Sequence, residues 1–265
     1  VFFQKYIAEA GFSIDVHALS PVQNDLIAVG GQIASTSTGD KMAAIQLFSK
    51  DGALIWSRQF GNLTSQATIV DIEPTPDGNL LAVARAESAN GQTGIFKIDL
   101  NGNLLWARFF NNNSNHEINR AQNTTGGFIL TGTQNSTDGL IIKTDANGLE
   151  TWSVRVTAIG ALSLHQATED ALGNIYVTGS VFQFGYTDGV LLKFFPTGQL
   201  QWSRRFGTSE NDVLTHLVQT GDQQFLAGGY SFGADNIRKG WLLQMDSEGL
   251  VKWSRSYANS SSGAE

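Results

Sequence analysis

The chain has 265 residues, of which 41% are hydrophobic and 15% charged, and its formal net charge is −7. That composition is globular rather than disordered, and an acidic balance with no basic block argues against a nucleic-acid partner. There are no cysteines, which excludes disulfides and thiolate metal sites but leaves the compartment open, and no apolar run approaches the length of a membrane span.

In chain order, the first feature is an opening at Val1 rather than Met, with no signal-peptide pattern, as in a processed form or an excised piece. A repeat then takes over. A tryptophan recurs four residues after a turn glycine, at Gly52/Trp56, Gly102/Trp106, Gly148/Trp152, Gly198/Trp202 and Gly249/Trp253, with Trp-to-Trp spacings of 50, 46, 50 and 51. A period near 50, built from short apolar runs and tight turns, is the signature of propeller blades or a solenoid. The units span about 7–60, 61–110, 111–156, 157–206 and 207–257 of a single domain, residues 1–265.

Each unit reads as four short strands, A to D. In the second, 67–73 is strand A, 76–79 a tight turn, 80–85 strand B, 95–99 strand C and 104–110 strand D. Asn101-Gly102 supplies the positive φ of a hairpin turn. Strand B recurs at 26–30, 128–132, 175–179 and 225–229. Strand C carries Lys97, Lys143, Lys193 and Gln244 at one position, where the first unit has Leu47. Runs of this length, rich in β-branched and aromatic residues, favour strand over helix.

Strand D alternates, so Trp56, Arg58 and Phe60 share a face. The same face recurs as Trp106/Arg108/Phe110, Trp202/Arg204/Phe206 and Trp253/Arg255/Tyr257. Large aromatics at one repeated place are expected to pack between blades, with the Arg stem along the ring and its head in water. A four-stranded sheet cannot bury both faces alone, and stacking copies solves this. The predicted fold is all-β: a five-bladed β-propeller with four-stranded antiparallel blades, or a fragment of a larger propeller or repeat array. Residues 1–6 align with 55–60 as a spare D strand, with Phe2 in the tryptophan slot, and 260–265 resembles the linker at 207–210. A spare strand is a template for self-association.

Candidate chemistry is sparse. There is no phosphate loop, metalloprotease helix motif or nucleophile elbow, and no catalytic residue is assigned. Counting nine residues back from the first core residue of strand B, with one inserted residue allowed in the fourth unit, reaches His17, Asp71, Asn119, His165 and His216. Three of the four histidines thus fall at one repeat position, on the strand expected to be innermost. They form a candidate ring for a small polar ligand, with any metal unknown. The alternative is a polar ring whose side chains bond neighbouring backbones. Asp71 with Glu73 is the acidic pair near it. The Asp-x-Asn-Gly turns share part of a calcium loop but lack its distal Glu. Asp and Asn suit tight turns in any case, so no cofactor is expected. Phe182, Phe184, Tyr186, Tyr230 and Phe232 cluster in the B–C connections of the fourth and fifth units.

The run Asp99-Leu100-Asn101-Gly102-Asn103-Leu104-Leu105-Trp106 is echoed by Asp145-Ala146-Asn147-Gly148. With Thr220-Gly221-Asp222 and Ala227-Gly228-Gly229 in the other half of the unit, it resembles the bacterial secreted β-propeller repeats known as SBBP repeats. The resemblance covers nearly the whole chain and lies in turn and packing positions. It implies a secreted or cell-surface bacterial protein, commonly a module of a larger polypeptide, with no family-wide catalytic residue. The expected function is a non-enzymatic structural or interaction module that meets protein or glycan at the propeller rim and can assemble with further copies. Alternatives are a lectin-like carbohydrate-binding propeller and a glycan-active hydrolase or lyase.

Overall fold

The computed structural model describes residues 12–60, 66–86, 93–110, 115–221 and 223–257; the expected spare strand at 1–6 and the linker at 260–265 lie outside them. The described residues form twenty strands, β1 to β20. They build five sheets of four antiparallel strands, each in chain order. The sheets run from β1 (Phe12–Val22) to β4 (Leu54–Phe60), from β5 (Ala67–Pro74) to β8 (Leu104–Phe110), from β9 (His116–Thr124) to β12 (Glu150–Val156), from β13 (Ala161–Glu169) to β16 (Leu200–Phe206), and from β17 (Asp212–Gln219) to β20 (Val251–Tyr257). These are the five blades that the repeat predicts. The described residues fall into two compact units: residues up to 123 with 145–149, and 124–144 with those from 150 onward.

The C–D turns show why Asp-x-Asn-Gly recurs. Gly102, Gly148 and Gly249 have φ of 82°, 73° and 71°, a backbone region that glycine enters without steric penalty. The aspartate ahead of each glycine turns its carboxylate inward. Asp99 Oδ1 accepts from the N–H groups of Asn101 and Asn103 at 2.9 and 2.8 Å. Asp145 and Asp246 repeat the arrangement. The Asn103 amide and these N–H groups hold the Asp99 carboxyl below its usual range. The carboxylates are thus engaged in folding the turn.

Blades are joined by two recurrent contacts. In the first, a D-strand tryptophan lies on the turn glycine of the following blade. A Cβ on Gly148 would stand 2.6 Å from Trp106 Cζ3, one on Gly198 2.9 Å from Trp152 Cε3, and one on Gly249 3.0 Å from Trp202 Cη2. The indole N–H of Trp56 donates to Leu100 O at 2.7 Å, and that of Trp152 to Pro196 O at 3.0 Å. The arginine two residues on stacks over its own tryptophan, at 5.9 Å for Arg58 and 5.4 Å for Arg108. In the second contact, a strand-A aliphatic drops onto a glycine of the preceding blade: Ile69 onto Gly30, Leu164 onto Gly139 and Leu214 onto Gly189. Of the five tryptophans expected to be mostly buried, Trp56 is 9% exposed and Trp106, Trp152 and Trp202 are half-buried, but Trp253 is 36% exposed, on a β20 that is exposed throughout.

Candidate functional site

The A strands carry the residues singled out for ligand binding, and a β-bulge decides where each one stands. In β1, Val16 pairs with Gly31 and Ala18 with Gly30, so His17 is the extra residue. The extra residue is Val70 in β5, His165 in β13 and Thr215 in β17. In β9, Ile118 and Ala121 are fully buried like Leu164 and Ala167, which aligns Asn119 with His165. The five predicted residues therefore occupy two positions. His17, Asn119 and His165 sit at the bulge, while Asp71 and His216 follow it. Residues one apart across a bulge need not share a face. The position after the bulge is occupied by Ala18, Asp71, Arg120, Gln166 and His216.

At that second position the side chain ties one blade to the next. Asp71 Oδ2 accepts from Ala121 N–H at 2.9 Å, and Gln166 Oε1 accepts from Leu217 N–H at 3.3 Å. A carboxylate and an amide do the same work at equivalent places, which is the backbone-bonding alternative. Asn119 Oδ1 accepts from Arg85 Nη2 at 2.7 Å. His165 Nε2 lies 3.2 Å from Ser180 Oγ, and His216 Nδ1 2.8 Å from Thr215 Oγ1. His17 and His216 are exposed. Among the described residues, no three His, Asp or Glu side chains come together as a metal site.

One cluster has chemical potential beyond its structural role. Asp71 is 4% exposed, and its Oδ1 lies 3.6 Å from Arg120 Nη1. Burial pushes its carboxyl above the usual value, partly offset by the Ala121 N–H and by Arg120. Glu73, two residues along β5, is pushed up to about 7, first by burial and then by the Asp71 charge, with Arg120 opposing. A carboxyl that titrates near neutrality beside a second carboxyl and a guanidinium can give or take a proton. Asp71 and Glu73 stand out as an acidic pair in the sequence, whereas Arg120 reaches them only through the fold, from β9 of another blade.

The five loop aromatics separate in the structure. Tyr230 and Phe232 pack edge to face at 6.0 Å, with Arg238 stacked 3.9 Å over Tyr230. The fourth blade presents its aromatics outward. Phe182 is 51% exposed and Phe184 81% exposed. Phe184 and Gly185 form the two-residue turn between strands, with φ of 55° and 95°. Arg205 lies 5.7 Å from the Tyr186 ring, donates to Gln183 Oε1 at 2.5 Å and pairs with Asp188.

No protein-family model and no curated protein matches the chain. Solved structures do. An ulvan lyase of a new polysaccharide lyase family is 11% identical with a TM-score of 0.61, over 90% of this chain and 68% of its own. The β-propeller domain of the Trilobed protease from Pyrococcus furiosus is 11% identical with a TM-score of 0.50, over 92% and 71%. A candidate exo-β-1,3-galactanase from Bifidobacterium bifidum s17 is 12% identical with a TM-score of 0.50, over 92% of both chains. Against a eukaryotic initiation factor, 13% identical with a TM-score of 0.52, the chain spans 55% of the partner's length. The expectation that the chain is not an enzyme falls here, because the propeller neighbours include a polysaccharide lyase and a candidate galactanase. Identities this low carry the fold alone, and that fold is a β-propeller.

Proposed function

We propose that the chain is a polysaccharide-recognition module, and that the hairpin joining β14 (Ile175–Gln183) to β15 (Tyr186–Phe194) is its contact surface. Phe184 carries this reading. It is 81% exposed with φ of 55°, a left-handed conformation that disfavours a residue with a Cβ by about 1–2 kcal/mol. Asn or Gly suits that turn position. A phenyl ring held in water on a disfavoured backbone adds nothing to folding, and such outliers point to function. Flat apolar rings accept the C–H faces of sugars, and Arg205 braces Tyr186 beside them. That a polysaccharide lyase and a candidate galactanase use this fold supports the ligand class. The resemblance to SBBP repeats supports an extracellular location.

Binding to an array of neutral and acidic polysaccharides, followed by calorimetry, tests the proposal. Phe184→Ala should weaken binding by about tenfold while the unfolding midpoint stays level or rises. No polysaccharide bound, or unchanged affinity in the variant, refutes it.

A second reading rests on Glu73, whose carboxyl titrates at about 7 next to Asp71. This pair is the acid–base candidate if the chain also cleaves the polysaccharide it binds. Glu73→Gln should then abolish cleavage and spare binding.

A further inference from the structure

We propose that the cleft between β12 and the fourth blade is a subsite for a neutral sugar that carries a methyl group, a 6-deoxyhexose or an N-acetylhexosamine. It takes the unit next to the one on Phe184. This rests on the polysaccharide reading and narrows it.

Two departures from the repeat make the cleft. Other D strands end in Phe60, Phe110, Phe206 or Tyr257, but the third ends in Val156. By ladder pairing, Val190 of β15 is the equivalent of Trp241 in β19 (Arg238–Asp246). At the joint of the fourth and fifth blades, Phe206 packs against the cluster that holds Trp241, and Trp241 is buried. Two valines replace these two aromatics at the joint of the third and fourth. The space they leave is a cleft of about 380 Å³. Every residue of its walls lies in the unit formed by 124–144 and 150 onward, so the cleft belongs to that unit by itself.

The walls set the chemistry. Leu162, Val181, Val190 and Leu192 form an aliphatic floor, all of them buried. Ile159, 78% exposed, flanks it from the third blade. Gln183 and Ser203 supply the polar groups. Gln183 Oε1 accepts from Arg205, while its amide N–H groups and the exposed Ser203 hydroxyl bond no other described residue. The two cations at the cleft are already engaged. Arg205 pairs with Asp188, and Arg204 turns away to stack over Trp202 and donate to Glu248 O at 3.2 and 3.1 Å. No carboxylate lines the cleft among the described residues. An aliphatic floor favours a methyl group and penalises a carboxylate or sulfate, which would lose its water there. The polar groups suit sugar hydroxyls. Gln183 adjoins Phe184 in the chain, so one saccharide can touch both.

Calorimetry with tetrasaccharides of rhamnose, fucose, N-acetylglucosamine, glucose and galacturonic acid tests the proposal. A methyl-bearing oligomer should bind about tenfold tighter than the glucose and galacturonate oligomers. The rhamnose and fucose arms, set against the N-acetylglucosamine arm, identify which methyl is read. Val156→Phe restores the aromatic of the other D strands and should erase the preference with the unfolding midpoint level or higher. Ser203→Trp, at an exposed site, should erase it by blocking the cleft. Phe184→Ala should weaken all the bound oligomers alike. Equal or tighter binding of the glucose or galacturonate oligomer, or a preference that survives both cleft variants, overturns the methyl subsite and leaves the Phe184 reading standing. The subsite also falls alone if a polysaccharide of the array binds and none of these oligomers does. Binding of neither set overturns both.

Discussion

Leu164 and Gly139 give the sharpest test of how blades are joined. Leu164 is fully buried, and Leu164→Ala removes its isobutyl group from a close-packed joint, at about 3–4 kcal/mol. Gly139→Ala acts in the opposite sense. Its methyl would stand 2.8 and 2.9 Å from Leu164 Cδ1 and Cγ and 3.0 Å from Leu162 Cδ2, well inside carbon contact distance. Neighbours must shift, at about 1–3 kcal/mol. If the sites were independent, the double variant would lose about 4–7 kcal/mol. In the joint described here the new methyl enters the space that Leu164 vacates. The clash with Leu164 disappears, leaving only the 3.0 Å approach to Leu162 Cδ2, and the cavity is filled by roughly one methyl, close to 1 kcal/mol. The double variant should therefore lose only about 2–3 kcal/mol, less than Leu164→Ala alone, a coupling of about 3 kcal/mol. Urea unfolding followed by tryptophan fluorescence and circular dichroism, with coincident transitions and unchanged m, measures this. Additivity within about 0.5 kcal/mol would show that the two residues do not share one seat.

Other expectations follow from the same contacts. The Glu73 carboxyl is raised from 4.5 to about 7, so the native state holds its proton more tightly. Its stabilisation is complete below pH 4.5 and is lost as pH rises through 7. Glu73→Gln should flatten that fall and be about 1–2 kcal/mol more stable than the unmodified protein at pH 8. Asp71→Ala leaves the Ala121 N–H without its acceptor and should lose about 1–3 kcal/mol. Asp71→Asn, which keeps the acceptor as Gln166 does, should stay within about 1 kcal/mol of the parent in the same urea assay. Trp202→Ala should lose about 3–5 kcal/mol, whereas Trp253→Ala should lose less than half of that. Equal losses would mean that the turn of the following blade does not bury the ring.

The blades were legible because their signals are local. Glycines with positive φ and aspartates that bond two N–H groups ahead lie within five residues of each other. The A-strand bulge has no such signature. Its extra residue is His17, Val70, His165 or Thr215, and nothing in those side chains marks a bulge. The count from strand B also went astray at two anchors. Ile27, not Leu26, pairs with Pro21 as Leu80 pairs with Pro74. The fourth unit needs no inserted residue, since Glu169 and Ile175 flank a connection as long as that between Pro74 and Leu80. The raised Glu73 carboxyl depends first on burial and then on the Asp71 charge, with Arg120 from another blade opposing, and no spacing in β5 reveals the burial. Phe184 was visible as an aromatic, but its left-handed backbone was not.

The tryptophan-on-glycine contact has a direction, and that direction matters during synthesis. The rings of Trp56, Trp106, Trp152 and Trp202 are each covered by a glycine that lies 42–47 residues downstream, as from Trp106 to Gly148 or Trp202 to Gly249. At ribosomal speeds a newly made blade keeps its tryptophan uncovered for roughly 2–9 s before the next turn emerges. A nascent chain therefore exposes one apolar ladder at a time and closes it as the following blade leaves the ribosome. A defect in a turn glycine would first be felt in the blade made before it.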